Sequence, residues 1–337
     1  MAEIMRLTAY ELERTLTLPR TALVFGILVA IVQASLAVID TVAMQQAYEG
    51  ASVLAGATAF DTFYMALNVE ASTTLPIACI VLAGDLISRD AHESSRLLIV
   101  SHCTRRSSYA AAKVLAAFVL CSGCVVALFA LSLAMGALQR GLPLGDGSVP
   151  AWLLTRGPEY TTWGMWSPIP DGWSYPAVLA ALVGAFSVIE TAIVLVVMAF
   201  GVRCRTRLAP IVGGCLVVVL LNMLGDIGSS IAVAFGLEGG RSVVGWVADR
   251  FSLANYRLGA GFFQTQAGQL AGEAIAAAEH TEYVDMTFPI NSFAQLTAMI
   301  GAMLITSCAV LSASLRNAGL PGFKRRVRQR RAAFPVL

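Results

Sequence analysis

Six stretches of the chain are almost uninterruptedly apolar: 21–42, 62–84, 114–138, 177–200, 209–236 and 293–315. Crossing about 30 Å of hydrocarbon as a helix takes about 20 residues, so each is long enough to span a bilayer. Together they hold four charged residues, Asp40, Glu70, Glu190 and Asp226; all other charges lie between or around them. Runs such as 192–200 and 211–221 do not alternate, which argues against the period-two pattern of a membrane β-barrel. The pattern predicts an all-α polytopic membrane protein with six transmembrane helices, read as one domain over 1–337.

The segments between the spans carry their own periodicities. Over residues 1–20, Met5, Ala9, Leu12 and Leu16 share a helical face, which predicts an amphipathic helix lying in the membrane interface. Pro19 is expected to stop it before the first span. A cleavable signal peptide is the rival reading, because Ser35-Leu36-Ala37 has a small-x-small form, but Glu3, Glu11 and Glu13 make the preceding stretch too acidic and too long. Segment 139–176 carries six prolines and four of the five tryptophans, predicting a loop at the outer interface; an aromatic contact surface for a ligand is the alternative. In 237–292, Phe263, Ala267, Leu270, Ala274 and Ala278 recur at helical spacing, so a helical extracellular segment is expected before the last span. Gly225-Asp226-Ile227-Gly228-Ser229-Ser230 marks a place where span five could end and turn back as a re-entrant piece.

Composition confirms the class and charge orients it. With 57% hydrophobic and 13% charged residues, the chain is too apolar for a disordered or soluble globular protein. The net charge of +2 conceals a strong asymmetry. With both termini cytoplasmic, 18 Lys and Arg lie inside and five outside, so the positive-inside rule selects that orientation. The basic tail 324–331, within the cytoplasmic segment 316–337, suits anionic lipid headgroups rather than nucleic acid. No cysteine falls in an outer loop, so no disulfide framework is implied, and Cys121-x-x-Cys124 reads as small packing residues within a span.

Catalytic patterns are missing. His92-Glu93-Ser94-Ser95-Arg96 lacks the second histidine of HExxH, Met223 breaks the GxGD pattern before Asp226, and no GxxxxGK[ST] loop is present. No enzyme, no metal site and no cofactor bound by this chain are therefore expected. The most informative polar segment is 85–113, the predicted cytoplasmic loop between spans two and three. It is charged at both ends with an apolar centre at Leu97-Leu98-Ile99-Val100, and Asp90, Glu93 and Arg96 share a helical face. A plain solvated loop does not need that centre, whereas short helices offering charged tips to a partner do.

This loop resembles that of the permease subunits of the type 2 class of ABC exporters. Asp90 and Glu93 stand at its acidic positions, Ser94-Ser95 at Gly-Thr, Leu97-Leu98 at the Leu pair, Thr104-Arg105 at Ser-Arg and Lys113 at the Lys. The missing Gly, His102 near the usual Pro, and a spacing one residue short are departures, and they leave the register of the coupling helix open. The resemblance implies a permease in the plasma (bacterial inner) membrane, docked to a separate ABC ATP-binding subunit that binds ATP and Mg and pairs with a second permease copy or a homologous permease. It also implies that Arg89, Asp90, Glu93, Arg96, Arg105 and Arg106 form the ATPase-coupling contacts.

Charges inside a bilayer require partners, protonation or water. Glu70, Glu190, Asn222 and Asp226 are accordingly candidates to line a route for a cationic or amphipathic substrate, with interhelical hydrogen bonding by protonated acids as the alternative. Two further function classes stay open. The buried acids suit an ion- or proton-coupled secondary transporter, and the external segment suits a non-transporting membrane scaffold or sensor.

Overall fold

The computed structural model describes residues 2–49, 58–70, 73–92, 106–145, 147, 174–204, 206–234 and 293–317. Among them every regular element is an α-helix. α1 is Ala2–Thr15, α2 Leu18–Glu49, α3 Ala59–Glu70, α4 Thr74–Ala83, α5 Ser88–His92, α6 Arg106–Arg140, α7 Tyr175–Gly201, α8 Leu208–Ala234 and α9 Phe293–Asn317. Three are long and apolar enough to cross a membrane, through Leu18–Ala37, Ser107–Arg140 and Tyr175–Gly201. Shorter apolar stretches lie at Leu208–Met223 and Ile300–Leu315.

α1 turns its polar side inward. Thr8, Glu11 and Thr15 are buried, while Met5 and Leu16 are 56% and 51% exposed. Met5, Ala9 and Leu16 of the expected apolar face therefore point away from the protein, while Leu12 packs against the core. Pro19 does not end this helix. α1 stops at Thr15, and Pro19 sits in the first turn of α2, where a missing N–H costs nothing and the fixed φ favours helix.

The 62–84 stretch is not one helix. It divides into α3 and α4, of 12 and 10 residues, each too short to cross alone. Pro76 in the first turn of α4 cannot donate to the preceding turn, so a continuous ladder through Thr73 and Thr74 is broken. Both pieces still pack against α2 and α6. α3 starts on a local cap, in which Asp61 Oδ2 accepts the Thr58 N–H at 2.6 Å and the Thr58 hydroxyl at 3.0 Å.

α7 is the central element, packed against α3, α4, α6, α8 and α9. Glycine permits a close approach here: a Cβ on Gly214 of α8 would lie 2.8 Å from a methyl carbon of Val197 on α7 and 3.2 Å from Ile80 on α4. The buried core runs along this seam through Leu75, Ile80, Leu128, Leu182 and Leu195. α8 continues as helix through 225–230, so the expected turn-back there does not occur. The segments 148–173 and 237–292, including all the loop tryptophans and the 263–278 pattern, lie outside the described residues.

Candidate functional site

The charged residues at one end of the helices form one buried network. It begins where α4 ends: Gly84 donates its N–H to Ile80 O at 2.7 Å, and the chain turns to place Asp85 and α5 beneath the bundle. Asp85 is fully buried. Arg20, at the start of α2, grips it with both Nη atoms at 2.9 Å, the two-pronged geometry that a guanidinium and a carboxylate share. Arg89, one helical turn on, donates to the same carboxylate at 2.7 Å, and also to Arg14 O at 3.1 Å and Thr15 Oγ1 at 3.2 Å. Asp85 thus joins α2, α5 and the end of α1.

Asp90 is the second centre. Arg14 of α1 approaches it at 2.6 Å, Lys113 of α6 at 2.7 Å, and Tyr109 donates its hydroxyl at 2.8 Å. Lys113 is 1% exposed, and all three of its ammonium protons have an acceptor: Asp90, Glu11 of α1 at 2.8 Å and Leu86 O at 2.7 Å. A buried ammonium persists only when it is paired and fully hydrogen-bonded, and this one is.

Electrostatics hold both carboxylates ionised. Burial pushes Asp85 up, but Arg20 and Arg89 outweigh it and bring the carboxyl below the usual 3.8. Burial likewise raises Asp90, and Lys113, Tyr109 and Arg14 together reverse the effect.

Of the residues expected to face an ATPase, Arg89 and Asp90 are turned inward into this network and are buried. Glu93, Arg96 and Arg105 lie outside the described residues, and Arg106 opens α6 without a described side chain. The partners Glu11, Arg14, Arg20, Asp85 and Tyr109 were not singled out by sequence. The one local signal is Asp85 with Arg89 at i,i+4; the others are 65 or more residues from Asp85 or Asp90 along the chain, except Tyr109, and only folding brings them in.

The candidate pathway residues are not gathered in one place by the described side chains. Glu190 is buried on α7, and Asn222 donates to Val218 O of its own helix at 3.0 Å. The side chains of Glu70 and Asp226 lie outside the described set. Cys79 of α4 is buried in the same core cluster as Cys121 and Cys124 of α6. Among the described residues no three His, Cys, Asp or Glu side chains are arranged to hold a metal ion.

A second polar clasp closes the opposite end. Tyr175 donates to Asp61 Oδ1 at 2.7 Å, Ala59 N–H to Pro143 O at 2.8 Å, and Tyr175 N–H to Gly147 O at 3.0 Å. Gly145 and Gly147 turn this segment at φ +77° and +81°, where an L side chain would be strained. The chain matches no protein-family model and no curated protein.

Proposed function

We propose that this chain is the membrane permease subunit of an ATP-driven exporter of the ABC type 2 class, without enzymatic activity of its own. The observation that carries the reading is the buried network Glu11–Lys113–Asp90–Arg14 with Arg20–Asp85–Arg89. It fastens the first residues of the loop with the permease-like pattern to the interfacial helix and to the bases of α2 and α6. A push on that loop would be passed to two membrane helices and to α1 at once, which a solvated topogenic loop has no need to do.

In this reading the six apolar stretches cross the plasma membrane with both termini cytoplasmic, and the broken second stretch crosses as α3 and α4 in series. Two ATPase subunits bind ATP and Mg, and a second permease copy or homologous permease completes the path. Glu93, Arg96, Arg105 and Arg106 offer the contacts to the ATPase, while Arg89 and Asp90 hold the loop that carries them. The cargo class is a peptide, antimicrobial or lipid-like amphipath, with Glu70, Glu190, Asn222 and Asp226 along its route. The sealed carboxyl of Glu190 favours a second reading, a proton-coupled transporter.

Affinity purification of the full chain from its native membrane in mild detergent tests the assignment. A Walker-motif ATPase should co-purify in near-stoichiometric amount and be lost on reversing charge at Glu93 and Arg96. Its reproducible absence would remove the exporter reading. If Glu190→Gln leaves transport and assembly unchanged, that residue is no part of the route.

A further inference from the structure

The turn joining α7 to α8 is basic throughout. It carries Arg203, Arg205 and Arg207, and no acidic residue occurs from 191 to 225. α7 tightens as it ends: the backbone N–H of Arg203 donates to Phe200 O at 3.1 Å and that of Cys204 to Gly201 O at 3.2 Å, bonds of the i→i−3 type. Val196, Phe200 and Arg203, at i, i+4 and i+7, are all exposed and follow one helical face. Arg207 is half-buried, and Arg205 lies outside the described residues.

The acids on neighbouring elements are already engaged. Gly201 lies against α5, where its Cβ would come within 3.7 Å of Ser88 Cβ, so the turn sits at the end of the bundle that holds Asp85 and Asp90. Arg20 and Arg89 take Asp85, Arg14 and Lys113 take Asp90, and Lys113 takes Glu11. Among the described residues Arg203 is therefore left without a carboxylate.

Beside the turn the surface is apolar. Leu208, Val212, Leu216, Leu220 and Met223 of α8, at i, i+4, i+8, i+12 and i+15, are 49% to 69% exposed. They form a stripe about 22 Å long, and the hydrocarbon of one leaflet is about 15 Å thick. Gly213 lets the face of α7 join this stripe, since a Cβ there would lie 3.1 Å from the Phe200 ring. An occupant that fits must offer an anion at the turn and an apolar chain along the helices. A second copy does not: a two-fold mate in the same membrane would bring the same acid-free segment and set arginine against arginine. An anionic phospholipid offers both.

We propose that this surface binds an anionic phospholipid, with its phosphate at Arg203 and Arg207 and an acyl chain laid over Phe200, Val212 and Leu216. The site goes beyond the exporter assignment; it requires a bilayer and no ATPase.

Fluorescence quenching in vesicles tests it. Full-length Phe200→Trp is reconstituted with phosphatidylglycerol or phosphatidylcholine carrying brominated chains, and the quenching beyond that of wild type is measured. Phosphatidylglycerol should be preferred by about five-fold or more, and adding Arg203→Gln should lower the preference by about five-fold. Equal quenching by the two lipids, or a preference that Arg203→Gln leaves unchanged, overturns the proposal. So does quenching by neither, the outcome expected if a second copy covers the face. Should the double variant fail to fold, NaCl at about 1 M decides in Phe200→Trp alone: a preference that collapses supports the site, and one that persists overturns it. None of these outcomes bears on ATPase co-purification, so the two assignments fail separately.

Discussion

Lys113 is the residue on which the charged network converges, and its replacement exposes how such a site differs from a surface ion pair. Lys113→Met leaves Glu11 without a cation and Asp90 with Arg14 alone, both buried. Removing one partner of a buried pair costs about 3–5 kcal/mol, whereas an exposed pair contributes at most about 1 kcal/mol. Thermal unfolding in detergent should place Lys113→Met in the first range, with Glu11→Gln in the same chain recovering part of the loss; a cost below about 1 kcal/mol would mean that the network does not bear on stability. The carboxylates add a pH dependence. Asp85 and Asp90 titrate below 3.8 in the fold, so their contribution is complete above 3.8 and is lost as pH falls through the lowered value. Wild type should accordingly lose stability on acidification below pH 3.8 more steeply than Asp85→Asn, which has one of these carboxylates fewer to protonate. At the opposite end of the bundle, Tyr175→Phe removes the donor to Asp61 and should cost about 1–3 kcal/mol in the same assay. These sites were partly legible beforehand. Lys113 and Asp90 stood out in the loop pattern, and Thr58-x-x-Asp61 is a local cap signal. Arg14, Arg20 and Tyr175 looked like ordinary flanking residues, because a side chain far along the chain carries no mark of its partner.

Among the elements, apolar length was the most legible property and continuity the least. α2, α6 and α7 follow the expected stretches because an unbroken run of helix-compatible apolar residues leaves the backbone no cheaper way to satisfy itself in lipid. The second stretch splits although its hydropathy does not, since Pro76 acts on the hydrogen-bond ladder rather than on hydrophobicity. α1 shows the reverse. Its amphipathic period was readable, yet which face met the protein was not, and the polar face does so because Glu11 and Thr8 reach α6. Helix packing gives a matched pair of substitutions. Gly214→Val would drive a side chain into Val197 at the contact of α8 with α7, and overpacking of this kind costs about 1–3 kcal/mol. Gly26→Ala meets nothing within 4 Å and should be neutral or stabilising by up to about 1 kcal/mol through helix propensity. Equal melting temperatures for the two would contradict the close approach of α8.

On the scale of the whole molecule, the two clasps lie at opposite ends of the bundle, with the network around Asp85 and Asp90 at one and the Asp61–Tyr175 contact at the other. If six spans place both termini inside, Cys204 and a cysteine introduced at Leu144 face opposite compartments. In right-side-out cells an impermeant maleimide should label Leu144→Cys directly and Cys204 only after permeabilisation; the same compartment for both would refute the orientation. The sequence by itself determined that this is a helical protein with apolar elements long enough for a membrane, because hydrophobic length and charge exclusion are additive and local. Tertiary structure alone decided which charges became partners, which face of α1 turned inward and which carboxyl was buried in the core. Those outcomes depend on distances between residues far apart in the chain, and a buried charge is permitted or forbidden only by what other helices bring to it.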